Sequence, residues 1–147
     1  MTGAGGFIGG HLVQRLLHEG NTVRGLDVKP LHEWHQVHGA AENVVADLRY
    51  LGPCHRACEG IEEVYNLAAD MGGMGFIENN KAACMLTVLI STHMLMAARA
   101  CKVKRFFYAS SACVYAADKQ TDTGVTALRE ADAYPAMPED GYGWEKL

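Results

Sequence analysis

The chain alternates between two hydrophobic periods. Over residues 8–19, Ile8, Leu12, Val13, Leu16 and Leu17 recur at helical spacing, and Gly20 supplies a natural stop. Residues 22–28 are strand-like, with Val23 and Leu26, and the run ends in Asp27. Residues 32–41 are polar and aromatic, which suits a loop or a short helix. A short β-rich run over 43–46 leads into Asp47, a short helix over 53–58 is closed by Gly60, and 63–67 reads as a strand. Gly72, Gly73 and Gly75 then predict a flexible loop, followed by the longest helix over 79–100 and a strand over 105–109. Residues 110–138 read mostly as loop, and Tyr142 opens a further helix. Strands that alternate with helices imply an α/β fold with a doubly wound parallel sheet.

Both edges of this pattern look incomplete. A glycine-rich turn of the kind found at residues 3–9 normally follows a buried central strand, yet only Met1 and Thr2 precede it. The last helix has barely begun at Leu147. The expectation is one domain over residues 1–147, a partial doubly wound sheet truncated at both ends and missing its first strand.

Composition narrows the function classes. A chain of 147 residues, 49% hydrophobic and 20% charged, can bury a core and matches a globular protein. The net charge is −4, and the nearest approach to a basic cluster is Lys102, Lys104 and Arg105, which reads as a charged turn. That argues against a nucleic-acid partner. The apolar stretch over 82–98 contains Thr87, Ser91, Thr92 and His93, so a buried helix is expected rather than a membrane span. No apolar leader follows Met1, and the five cysteines are odd in number and include no CxxC. Free thiols in a reducing compartment, hence the cytoplasm, are expected. His32, His35 and His38 form HxxHxxH in a loop, but without a convergent fourth ligand they predict no metal site.

Gly3, Gly6 and Gly9 form GxxGxxG within Thr2-Gly3-Ala4-Gly5-Gly6-Phe7-Ile8-Gly9. The first glycine permits a sharp turn, the second a close approach of backbone amides to a pyrophosphate, and the third tight helix packing. The helix N-terminus then turns its partial positive charge on the phosphates. An acidic residue at the next strand end, Asp27, suits the adenosine ribose hydroxyls and would repel a 2′-phosphate. The combination predicts a Rossmann-type site for NAD rather than NADP, with Arg24 and Lys29 close enough to moderate that preference.

Tyr142 and Lys146 are spaced as YxxxK and share a helix face. The ammonium is expected to lower the phenol from its ordinary value of about 10, so that Tyr142 can accept a proton near neutrality. The long helix, rich in Met and Leu, reads as core.

TGxxGxxG, Asn66-Leu67-Ala68-Ala69 after a strand, Ser111 and YxxxK together resemble the extended short-chain dehydrogenase/reductase family, whose members mostly act on nucleotide sugars. The stretches 66–77, 105–115 and 142–147 resemble most closely those of members that act on GDP-mannose. The resemblance implies bound NAD and a nucleotide-sugar substrate, GDP-mannose. It also implies oxidation, epimerisation and re-reduction of that sugar, giving GDP-L-galactose on the way to ascorbate. Tyr142 would act as base and, with Lys146, hold the cofactor. Ser111 would bind the substrate oxygen at carbon 4, and Cys113 would abstract protons from the sugar. Gly72 would lie against the sugar, and Phe7, Ile8, Asp47, Leu48 and Ala68 would line the cofactor. The second epimerising residue and the C-terminal substrate-binding region would lie beyond Leu147. The long helix would pair with its copy in a homodimer of the full-length protein. Two alternatives stay open: another nucleotide-sugar epimerase or dehydratase, or a non-catalytic NAD-binding remnant.

Overall fold

Four short strands form where β-rich runs were expected: β1 (Arg24–Asp27), β2 (Glu42–Val45), β3 (Glu63–Asn66) and β4 (Arg105–Tyr108). The computed structural model describes residues 1–70, 75, 79–120, 124, 127–138 and 140–147. β1 pairs in parallel with β2, and β3 in parallel with β4. Thr2 joins the two pairs by parallel bridges to Leu26 of β1 and Asn66 of β3. The order is therefore β2, β1, Thr2, β3, β4, all parallel, and two residues stand at the position of the expected central strand. The amide of Thr2 donates to the Tyr65 carbonyl at 3.0 Å, and the amide of Leu26 donates to the Met1 carbonyl at 2.9 Å.

Helices lie on both faces because strand side chains alternate. The helices are α1 (Phe7–His18), α2 (Leu51–Cys58), α3 (Lys81–Ala100) and α4 (Gly141–Lys146). Leu26, Val44, Val64 and Phe106 turn to one side and pack with Cys54, Ala57 and Cys58 of α2 and Ile90, Met94 and Ala97 of α3. Val23, Tyr65 and Leu67 turn to the other and pack with Leu12, Val13 and Leu16 of α1. This is the doubly wound α/β arrangement the periodicity implied. Each helix end lies within a few residues of its sequence-based boundary. Three one-turn 3-10 helices at Ala112–Val114, Ala117–Gln120 and Glu130–Ala133 punctuate the region read as loop, and another at Leu31–Glu33 opens the polar-aromatic segment.

Burial explains three of the cysteines. Cys54, Cys58 and Cys84 are fully enclosed, and burial pushes the thiols of Cys54 and Cys58 up to about 11. They behave as small core hydrophobes. α3 is a helix long and apolar enough by composition to cross a membrane. It also supplies Cys84, Thr87, Ile90, Met94, Ala97 and Ala98 to protein cores, while Met85, Leu89, Leu95 and Met96 remain exposed.

The chain divides into two compact units. One comprises Met1–Ala69 with Leu89–Tyr108 and holds the sheet; the other comprises Asp70–Val88 with Ala109–Leu147. The candidate chemistry is split between them: the glycine turn and Asp27 belong to the first unit, and Ser111, Cys113, Tyr142 and Lys146 to the second.

Candidate functional site

The first part is the glycine turn. Gly3 takes φ +67°, a left-handed conformation that disfavours side chains. A methyl group at Gly9 would meet the Gly3 carbonyl oxygen at 2.0 Å, so only glycine lets α1 start so close to the turn. Thr2 locks the arrangement from beneath. Its hydroxyl donates to Asn66 Oδ1 at 2.7 Å and accepts from the amides of Leu67 and Ala68, each at 3.1 Å. Ala68 is thereby brought against Gly3, where a Cβ would lie 3.0 Å from its nitrogen.

α1 begins at Phe7 without a side-chain cap and without an acidic residue in its first turn. Its first amides therefore present an uncompensated positive end, the feature that an anion occupies at helix N-termini. Phe7 and Ile8 at this helix start are 65% and 69% exposed. The donor set and the space kept open by glycine fit a dinucleotide pyrophosphate.

Asp27 is placed at the end of β1 as expected. One carboxylate oxygen accepts from the Gly5 amide at 3.0 Å and the other from the Lys29 amide at 3.1 Å, so the side chain is fixed at the mouth of the turn. Of the two nearby cations, Arg24 is engaged away from the turn and Lys29 stays at it. Arg24 donates to the carbonyls of Arg56, Ala57 and Glu59 at the end of α2 and pairs with Glu42 at 2.7 Å. Lys29 Nζ donates to the Gly5 carbonyl at 3.0 Å. Trp34, buried beside Gly5, donates from Nε1 to the Lys29 carbonyl at 2.8 Å and anchors this segment; nothing in the sequence pattern singled it out.

Of the two residues expected near the adenine, Leu48 buries its side chain in the core. Asp47 is engaged by Arg49, whose hydrogen bond holds the carboxyl below its ordinary range. His35 stacks edgewise on Phe7, and His38 contacts the Gly10 carbonyl at 3.0 Å. Among the described residues, no three His, Cys, Asp or Glu side chains converge as a metal site.

The second part is built around α4. Asp140 caps the helix by accepting from the Gly143 amide at 2.9 Å. A methyl group at Gly143 would lie 2.3 Å from the Cys113 carbonyl oxygen, so glycine lets α4 sit directly on that segment. The Ser110 hydroxyl donates to the Lys146 carbonyl at 2.8 Å and ties the helix end to the segment after β4. Ser111 accepts from the Cys113 amide at 3.2 Å and starts the turn at Ala112–Val114. Tyr142 and Cys84 form a small buried cluster with Cys113 against it. Ser111, Cys113, Tyr142 and Lys146 are thus brought together; Gly72 lies outside the described residues.

The electrostatics of this cluster overturn one expectation. Tyr142 is not acidified. Burial pushes its phenol above the ordinary value, a hydrogen bond from Ser111 pulls the other way, and the charges of Glu145, Cys113 and Cys84 add to the rise. Lys146 Nζ lies 5.7 Å from the centre of the Tyr142 ring and 3.4 Å from Glu145 Oε2. The ammonium sits nearer a carboxylate than the reading of YxxxK assumed. Cys84, behind Tyr142, is held as a thiol by burial, with Asp70 and Asp140 reinforcing the shift. Sequence spacing gave no signal for Cys84 or Glu145.

The model of the NAD dependent epimerase/dehydratase family matches residues 1–147. The chain belongs to that family. It is 48% identical, over its whole length, to GDP-mannose 3,5-epimerase of Arabidopsis thaliana, and the match covers 39% of that protein. Among solved structures it resembles a short-chain dehydrogenase/reductase from Agrobacterium tumefaciens with bound NAD, at 30% identity and TM-score 0.76 over 99% of this chain and 40% of that one. It also resembles MoeE5 in complex with UDP-glucose and NAD, at 30% identity and TM-score 0.80 over 99% of this chain and 44% of that one. The chain therefore spans about two fifths of the length of these relatives. The cofactor of the family is NAD, in agreement with the glycine turn and Asp27.

Proposed function

We propose that the chain is the NAD-holding part of an enzyme that converts GDP-D-mannose to GDP-L-galactose through a 4-keto sugar. The observation that carries this reading is the gathering of Ser111, Cys113 and Tyr142 in one unit, in a chain whose relatives at 48% identity are GDP-mannose 3,5-epimerases.

The residue roles follow from chemistry. NAD, when bound, supplies the acceptor for the hydrogen on carbon 4 of the sugar. The amides at the start of α1 hold its pyrophosphate, Asp27 its adenosine ribose, and Lys146 its second ribose. Tyr142 takes the proton of the carbon 4 hydroxyl, and Ser111 donates to the same oxygen. The ketone so formed acidifies the hydrogens on carbons 3 and 5, because both are α to it. Cys113 is the group of this cluster assigned to remove them. Its acid partner and the grip on GDP are assigned to the further length that the relatives possess.

The test uses deuterated water. The 147-residue chain, and the same chain completed with the remaining residues of the Arabidopsis protein, are incubated with NAD and GDP-mannose. The expected result is a sugar heavier by one or two mass units in the completed chain, with UDP-glucose unchanged. Turnover of UDP-glucose without exchange into GDP-mannose would replace this reading with another nucleotide-sugar epimerase. Absence of both reactions in the completed chain would leave a non-catalytic NAD-binding module.

The remaining assignments are of the same kind. The product would feed ascorbate synthesis, and the enzyme would work in the cytoplasm without a membrane partner. The exposed Met85, Leu89, Leu95 and Met96 on α3 support pairing with a second copy in the full-length protein. Cell fractionation and the mass of the completed chain in solution check the last three.

A further inference from the structure

Neighbouring positions on a helix point about 100° apart, so adjacent residues do not ordinarily meet. Glu145 and Lys146 do. The Glu145 side chain is 1% exposed and that of Lys146 is 4% exposed, with Oε2 and Nζ 3.4 Å apart. An ammonium this deeply buried requires a counter-charge, because desolvation of an unpaired ion costs several kcal/mol. The same ammonium lies 5.7 Å from the centre of the Tyr142 ring. One cation therefore lies beside a carboxylate and near the ring of the residue that the reading above makes the base.

Among the described residues, four other charged or titratable groups act on Tyr142 or on Cys84 behind it. Asp140 stands at the start of α4, Asp70 precedes α3, Cys84 comes from α3 and Cys113 from the segment after β4. Of the two carboxylates on α4 and its cap, Glu145 is the one in ion-pair contact with Lys146.

We propose that Glu145 is a positioning residue for the Tyr142–Lys146 pair: it anchors the Lys146 ammonium beside itself and so sets how much of that positive charge reaches the phenol. Lys146 then serves Tyr142 fully only as far as it is drawn away from Glu145, for instance by a ribose hydroxyl. The direction of the Tyr142 shift agrees, since the negative charge of Glu145 helps to raise it. The idea rests on Tyr142 being the base but needs neither cofactor nor sugar to be tested.

The experiment is a titration of the 147-residue chain carrying carbon-13 at the tyrosine ζ position, followed by NMR, with the Tyr142 signal assigned by its loss in Tyr142→Phe. In Glu145→Gln the Tyr142 midpoint is expected to fall by about one pH unit. In a Lys146→Met background the same substitution is expected to shift it clearly less, because part of the effect passes through the lysine. Glu145→Asp retains the charge but moves it back by one methylene. It serves if the glutamine variant does not fold, and should shift the midpoint in the same direction by a smaller amount. An unmoved midpoint, or equal shifts with and without Lys146, would overturn the proposal. Failure of deuterium exchange into GDP-mannose would leave this titration intact, so the two readings fail separately.

Discussion

The glycine turn and the Tyr142 cluster each carry candidate chemistry, yet they are held by different physics. The turn is made by main chain. Gly3 and Gly9 remove side chains where backbone must pass backbone, and Thr2 closes three hydrogen bonds beneath them. Its anion-binding capacity lies in amides and needs no side chain to be in a particular protonation state. The Tyr142 cluster is made by side chains in a desolvated pocket. Its behaviour depends on which charges lie within a few ångströms, and here a carboxylate competes for the cation. A backbone site is robust to its surroundings; a titrating site is defined by them.

The largest effect that can test this contrast comes from Tyr142→Phe. Removal of the phenolic hydroxyl should slow NAD reduction by GDP-mannose in the completed chain by at least ~100-fold. NAD affinity, measured by calorimetry, should stay within about threefold, since the pyrophosphate is held elsewhere. A comparable loss of NAD binding would mean that the two parts do not act separately.

Next in size is Gly9→Ala. Its methyl group would overlap a backbone oxygen that no rotamer change can move, so a loss of about 3 kcal/mol in urea unfolding is expected. Unchanged stability would show that the turn has slack, and the account of its rigidity would fall. Thr2→Val should cost less, about 2 kcal/mol, because it leaves two amides and one amide oxygen short of a partner without a steric clash. The same unfolding curve reads it.

Asp27→Asn should give the smallest change. It keeps an acceptor for the Gly5 amide but removes the charge and the acceptor of the Lys29 amide, so the preference for NAD over NADP should narrow by about tenfold with a loss of about 1 kcal/mol in stability. If the preference did not move, discrimination would have to come from shape alone.

Much of the first part was legible in the sequence because its causes are local. The spacing of Gly3, Gly6 and Gly9, the apolar face of residues 8–19 and the acidic strand end at Asp27 each follow from steric and hydrogen-bonding rules that act over a few residues. The strand and helix runs were located for the same reason. Arg24 and Lys29 were legible as nearby charges, but not in direction: one turns to the end of α2 and the other to Gly5. Leu48 was read as a cofactor contact from the family resemblance, which carried no sign that its side chain packs in the core with residues of α2 and α3.

For the second part the motif identified the residues but not their state. Tyr142, Lys146, Ser111 and Cys113 could be named from spacing and resemblance, whereas Cys84 and Glu145 could not. Cys84 arrives from a helix more than fifty residues away in the chain, and Glu145 would ordinarily point away from its neighbour.

The sequence by itself determined the alternation of strands and helices, the glycine-rich phosphate turn and the family to which the chain belongs, because these are written in short-range spacing. Only the tertiary structure decided that Thr2 bridges β1 and β3, that Leu48 is core, and that the Tyr142 phenol is raised rather than lowered. The reason is common to all three. Burial and charge are sums over neighbours in space, and a chain reveals those neighbours only once it is folded.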